Sequence, residues 1–175
     1  MAKALVVYFS HAGENPNVGI VQEGNTALFA KNIIEQLKAD GHEVDEFELK
    51  PVSPYPEGYN ECILKATEER TMQERPDYEG EIDLEPYSTI FIGYPIWWSD
   101  MPMIVYNFLE KHTFTGKNVA PFCTSEGSGE SGTFGVIGNL AVGGIMQEGL
   151  AMPGTLARQD GGKKQVQYWV GQMGI

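Results

Sequence analysis

Basic side chains are scarce in this sequence: 12 Lys and Arg stand against 24 Asp and Glu, a formal net charge of −12. Such a surface repels nucleic acid and anionic lipid, and it favours solubility or a basic partner. Cysteine is scarcer still. Cys62 and Cys123 are the only two, too few and too far apart for a disulfide framework or a zinc site, so each is expected as a buried, reduced thiol and no metal is expected. No apolar run approaches membrane-spanning length, and Met1–Ser10 carries one charge with too short an apolar run for a signal peptide. A cytoplasmic location without a membrane partner is therefore the expectation. The nucleotide-binding signatures are missing as well: Gly-x-x-x-x-Gly-Lys-Ser/Thr is absent, and Gly-x-Gly-x-x-Gly does not follow the first strand. A phosphorylatable receiver domain needs acids where this chain has Ser10-His11 and Tyr94-Pro95. Of the three histidines, His42 and His112 read as surface residues and His11 as an exposed loop residue or, by position, an acid or base; no side chain stands out in that role.

What the sequence does have is centred on Thr89–Pro102. Thr89-Ile90-Phe91-Ile92-Gly93-Tyr94 is β-branched and aromatic without charge, the pattern of a strand buried on both faces. Pro95 cannot donate to a sheet ladder and Pro102 suits the first turn of a helix. Between them lies a short loop with Trp97 and Trp98. In an open α/β sheet, loops leaving the carboxyl ends of central strands form the ligand crevice. Two indoles there suit a flat aromatic ligand, or else a hydrophobic plug beneath the loop.

The remaining chain repeats a β-α order. Leu5–Phe9 reads as a second central strand. Glu14–Glu23, polar and interrupted by Pro16 and Gly19, is too long for the usual strand-to-helix turn and reads as an inserted excursion. Gly24-Asn25-Thr26 opens a helix to about Ala39, with Ala30, Ile33, Ile34 and Leu37 on one face. Val44–Leu49 alternates with acids and belongs near an edge, and a helix spans about Tyr59–Glu74. Met103–Leu109 is a helix, Val119–Cys123 a fourth strand in which Pro121 marks an irregularity or an edge-like donor position. The glycines at 132, 135, 138, 143 and 144 oppose the helix that follows. Ile145–Met152 is expected as the fifth strand and Lys163–Met173 as the last helix. At 175 residues this makes one domain over 1–175, a three-layer, doubly wound, five-stranded parallel sheet with right-handed crossovers.

Three strand-end loops converge in this arrangement: Ser10 to Thr26, Tyr94 to Asp100, and Thr124-Ser125-Glu126-Gly127-Ser128-Gly129. Ser10, Asn25 and Thr26 lie before and at a helix start, where orphan N–H groups and the positive dipole end attract an anion. No lysine or arginine occurs between Ser10 and Lys31, so a phosphate there is expected to be held by hydroxyls and amides alone. Asn25 and Thr26 serve equally well as plain helix caps.

The Tyr94-Pro95-Ile96-Trp97-Trp98 loop and the Thr124–Gly129 loop make the chain resemble the short-chain, flavodoxin-like proteins that bind FMN. The resemblance spans nearly the whole chain and implies strand order 2-1-3-4-5. It also implies that Ser10, Asn25 and Thr26, with His11 beside them, take the FMN phosphate, and that Pro95, Ile96, Trp97 and Trp98 border the ring and ribityl chain. Thr124, Ser125, Glu126, Gly127, Ser128 and Gly129 are implied at the pyrimidine edge. The function so implied is electron transfer with a redox partner protein or a small-molecule acceptor; the alternative is an FMN-dependent NAD(P)H:quinone-type oxidoreductase. One departure is visible. The third loop has no aromatic residue to cover the outer ring face, which leaves that face to a substrate, a subunit or the Glu14–Glu23 excursion.

Overall fold

The computed structural model describes residues 3–175. Uncharged runs become the buried strands of a parallel sheet: β1 (Lys3–Tyr8), then a hairpin of β2 (Gly13–Asn15) and β3 (Gly19–Val21), helix α1 (Asn25–Ala39), and β4 (Glu43–Glu48). Next come α2 (Tyr59–Thr71), β5 (Thr89–Pro95), α3 (Met103–Lys111), β6 (Asn118–Ser125) and α4 (Thr133–Leu140). The chain ends with β7 (Ile145–Met146), β8 (Leu150–Pro153), a single-turn α5 (Gly154–Ala157) and α6 (Asp160–Gln172). The sheet runs β4-β1-β5-β6-β7, with β8 also on β6. Every pairing within it is parallel. This is the expected order 2-1-3-4-5, with the acid-rich β4 at an edge.

Alternation along the strands divides the core into two layers. Leu5, Val7, Ile90, Ile92 and Tyr94 face Ile104, Val105 and Phe108 of α3 and Ile137 of α4. Ala4, Val6, Phe91 and Phe122 face Ala30, Ile33 and Leu37 of α1 and Val166, Trp169 and Val170 of α6. Trp169 is core, as its helical spacing implies, and its indole N–H donates to the Glu148 carbonyl at 2.8 Å. Cys62 and Cys123 are buried and free.

One element departs from the sequence expectation, and one forms against its composition. The fifth strand is broken: β7 pairs with Asn118 and Val119, and β8 with Phe122–Ser125. Carbonyls of Lys117 and Val119 accept from Ile145 and Gln147, so odd-numbered residues of β6 point toward the fifth strand. Pro121 points the same way and has no N–H to give. The irregularity expected of Pro121 therefore appears in its neighbour. The glycine-rich helix α4 does form, because its start is tied down. Glu130 accepts from the Phe134 N–H at 2.9 Å, and the buried Thr133 hydroxyl meets both the Glu130 carbonyl (2.6 Å) and the Tyr94 hydroxyl (2.7 Å).

Candidate functional site

At the carboxyl rim of the sheet a cavity of about 220 Å³ opens where the loops after β1, β5 and β6 meet. Ser10, His11, Asn25, Thr26, Pro95, Ile96, Trp97, Trp98, Thr124, Ser125 and Glu126 all line it. Gly127, Ser128 and Gly129 do not; that part of the loop turns away, with Gly127 and Gly129 at positive φ. The wall also contains residues that the sequence reading left out. Glu14, Asn15 and Pro16 come from the hairpin, and Tyr59, Cys62, Ile63 and Ala66 from α2.

One end of the cavity is polar. Gly24 occupies the N-cap position of α1 and offers no side chain, so the Ser10 hydroxyl, from the loop after β1, accepts the Ala27 N–H at 3.0 Å instead. A methyl group on Gly24 would lie 2.3 Å from that hydroxyl and 2.5 Å from the His11 carbonyl, so only glycine lets the loop cross the helix start this closely. Asn25 and Thr26 are not caps. Their own N–H groups, the first two of the helix, meet no protein acceptor among the described residues, as expected of helix starts that lack a local cap. The buried Thr26 hydroxyl pairs with that of Thr124 at 2.8 Å, joining the first loop to the third.

The other end is aromatic. Trp97 is half-buried, edge-on to Phe9 (5.2 Å) and Tyr55 (5.0 Å), with His11 at 6.2 Å. It is both plug and wall. Trp98 is 52% exposed, so it adds little to the core and stands at the cavity mouth. A tight turn presents it: Trp97 and Asp100 exchange backbone hydrogen bonds of 2.9 and 3.0 Å, and the two residues between them, Trp98 and Ser99, sit at φ 54° and 56°. Positive φ at a bulky side chain is costly and persists only where the surroundings enforce it. Asp100 does so, its carboxylate accepting from the Met101 N–H (2.7 Å) and the Tyr106 hydroxyl (2.6 Å).

Beneath Trp97, the Tyr55 hydroxyl donates to Glu69, which is only 5% exposed. Burial raises the Glu69 carboxyl above the ordinary glutamate range, and the Tyr55 bond pulls it part of the way back. Burial also pushes the Cys62 thiol up to about 11, so this cavity-wall cysteine stays neutral and is no nucleophile at neutral pH. The hairpin forms the roof. Asn15 donates to the His11 carbonyl at 2.9 Å, Glu14 accepts from the Tyr59 N–H at the start of α2 (2.9 Å), and Asn17 at the tip donates to Glu126. These bonds tie the hairpin to the loops after β1 and β6 and to the start of α2.

The sequence profile of the family described as Flavodoxin matches residues 3–173. No curated protein matches the chain. Among solved structures, a candidate flavoprotein of Bacteroides eggerthii is 27% identical over 100% of this chain and 99% of its own, with a TM-score of 0.75. A second, from Bacteroides uniformis, is 25% identical over 97% and 98%, at a TM-score of 0.72. A flavoprotein of Lactobacillus acidophilus in complex with FMN is 20% identical over 90% and 97%, at a TM-score of 0.65.

Proposed function

The chain belongs to the flavodoxin family, and from that premise we propose that it holds FMN in the rim cavity and transfers electrons through it. The observation that carries this reading is the polarity of the cavity: open N–H groups of α1 at one end, two indoles at the other. A singly phosphorylated flat heterocycle has that same polarity. Its phosphate fits the Asn25 and Thr26 N–H groups and the Ser10 hydroxyl, since a helix start binds anions through unpaired amides and its dipole. The ring fits between Ile96, Trp97 and Trp98, and its pyrimidine edge toward Thr124, Ser125 and Glu126. The flavin supplies the redox chemistry, while the protein orients it and sets the field around it.

Electrons leave to a redox partner protein or to a small-molecule acceptor. Two acids, Glu14 and Glu126, line the cavity without a lysine or arginine, a field that disfavours added negative charge on a bound ring. The test is titration of the flavin-free chain with FMN, following tryptophan emission and the visible flavin band. Saturation at one FMN per chain with quenched emission is expected. Unchanged emission at FMN concentrations well above the protein removes the proposal.

A second reading, an FMN-dependent NAD(P)H oxidoreductase, is favoured by the absence of any aromatic residue from Thr124–Gly129. Steady-state oxidation of NADH or NADPH by the FMN-loaded protein distinguishes the two. Rapid turnover selects the reductase, and none selects the carrier.

A further inference from the structure

The break in the fifth strand leaves β8 to end at the same rim as β1, β5 and β6, and the residues after it, Gly154 to Arg158, pack beside the start of α1. Arg158 Nη1 donates to the Glu23 carbonyl at 2.9 Å and to Asn25 Oδ1 at 3.0 Å. Asn25 is 6% exposed and lines the cavity. On its other side the amide rests against Gly154, where an added methyl group would lie 2.3 Å from Asn25 Nδ2. The Asn25 side chain is thus held between a glycine and a guanidinium, both far away in sequence.

The charge at this place is unusual for a chain of net charge −12. Of its three arginines, Arg70 pairs with Asp100 and Arg75 with Glu110. Lys31 on α1 pairs with the Glu23 carboxylate. Among the described residues Arg158 has no carboxylate within 4 Å, and its side-chain bonds go to neutral oxygens. A guanidinium has five donors in a fixed fork, so Nη2 and Nε remain free at the rim.

We propose that Arg158 is a positioning residue for the phosphate end of the ligand. It fixes the Asn25 amide beside the two open N–H groups of α1, and it adds the one uncompensated cation of that rim. The proposal rests on the FMN reading and adds a guanidinium to the expected anchor of hydroxyls and amides. Its own signature is discrimination between FMN and riboflavin, which share the ring and differ by the phosphate.

The experiment titrates wild type, Arg158→Met, Arg158→Lys and Gly154→Ala with FMN and with riboflavin at low and high salt. Thermal melts confirm that each variant is folded. Arg158→Met is expected to weaken FMN about tenfold, as for loss of a charge-assisted contact, and riboflavin less than about twofold. That penalty shrinks at high salt, because screening removes the wild-type advantage. Arg158→Lys keeps the charge without the fork and falls between. Gly154→Ala keeps the arginine but displaces Asn25, and it also weakens FMN selectively, so the proposal stays open to refutation even if Arg158→Met does not fold. Equal weakening of both flavins, or of neither, reduces Arg158 to a structural clamp and overturns the inference. Wild type that binds both flavins equally overturns it too, whereas wild type that binds neither overturns the FMN reading itself.

Discussion

The two ends of the cavity are built by different means. At the polar end, hydrogen bonds between loops distant in sequence fix each group: Ser10 to Ala27, Thr26 to Thr124, Arg158 to Asn25. At the aromatic end, ring contacts hold Trp97 while a turn in an unfavourable backbone region holds Trp98. The polar end is therefore sensitive to the loss or crowding of single atoms, and the aromatic end to the loss of volume. The two tryptophans also differ in packing: Trp97 is built into the fold, whereas Trp98 stands half exposed at the cavity mouth.

Replacing Trp97 with Ala tests that division most severely. It is expected to cost about 3 kcal/mol in denaturant unfolding, the range of large-to-small changes at packed aromatics. Trp98→Ala is expected to change stability by less than about 0.5 kcal/mol while weakening FMN about tenfold, since the side chain is half exposed. Equal destabilisation by the two would erase the distinction. At the polar end, Gly24→Ala forces Ser10 and His11 apart and is expected to cost about 2 kcal/mol, with a parallel loss of FMN affinity. Thr124→Val leaves the buried Thr26 hydroxyl without a partner and is expected to cost about 1 to 2 kcal/mol. The Thr26→Val, Thr124→Val double variant is expected to cost less than the sum of the singles, a coupling that a double-mutant cycle reads directly.

The smallest expected effect concerns pH, and at the aromatic end it belongs to Glu69. Glu69 beneath Tyr55 has a raised pKa, owing first to burial. Between its ordinary value of 4.5 and its folded value the native state binds more protons than the unfolded one. Stability contributed by Glu69 is therefore complete below 4.5 and declines as pH rises through the folded value. Glu69→Gln is expected to flatten that decline in denaturant midpoints measured across acidic pH. An unchanged slope would mean that Glu69 is not the titrating group.

Much of this was legible in one sequence because buried parallel strands and amphipathic helices carry local signals. Leu5–Phe9 and Thr89–Tyr94 announce central strands, and Val44–Leu49 an edge. Trp97 and Trp98 could be placed at the rim for the same reason. What escaped was long-range. Tyr59, Cys62, Ile63 and Ala66 look like an ordinary helix face until α2 packs against the cavity, and Arg158 lies 133 residues from its Asn25 partner. Neither spacing nor composition encodes such meetings. Gly127, Ser128 and Gly129 show the reverse. Their composition matches the rest of the loop, but backbone turns at positive φ carry them off the cavity.

The proline in β6 has a consequence for how these molecules meet one another. A sheet border with a long row of free amides is a template on which a second chain can add a strand, the first step toward aggregates. Opposite Pro121, the border is cut into pieces of two and four residues. The far border, β4, carries Glu43, Asp45, Glu46 and Glu48, whose like charges repel a second copy of the same strand. One flank is protected by fragmentation and the other by repulsion, so neither border of the sheet offers an easy template for a second copy of the chain.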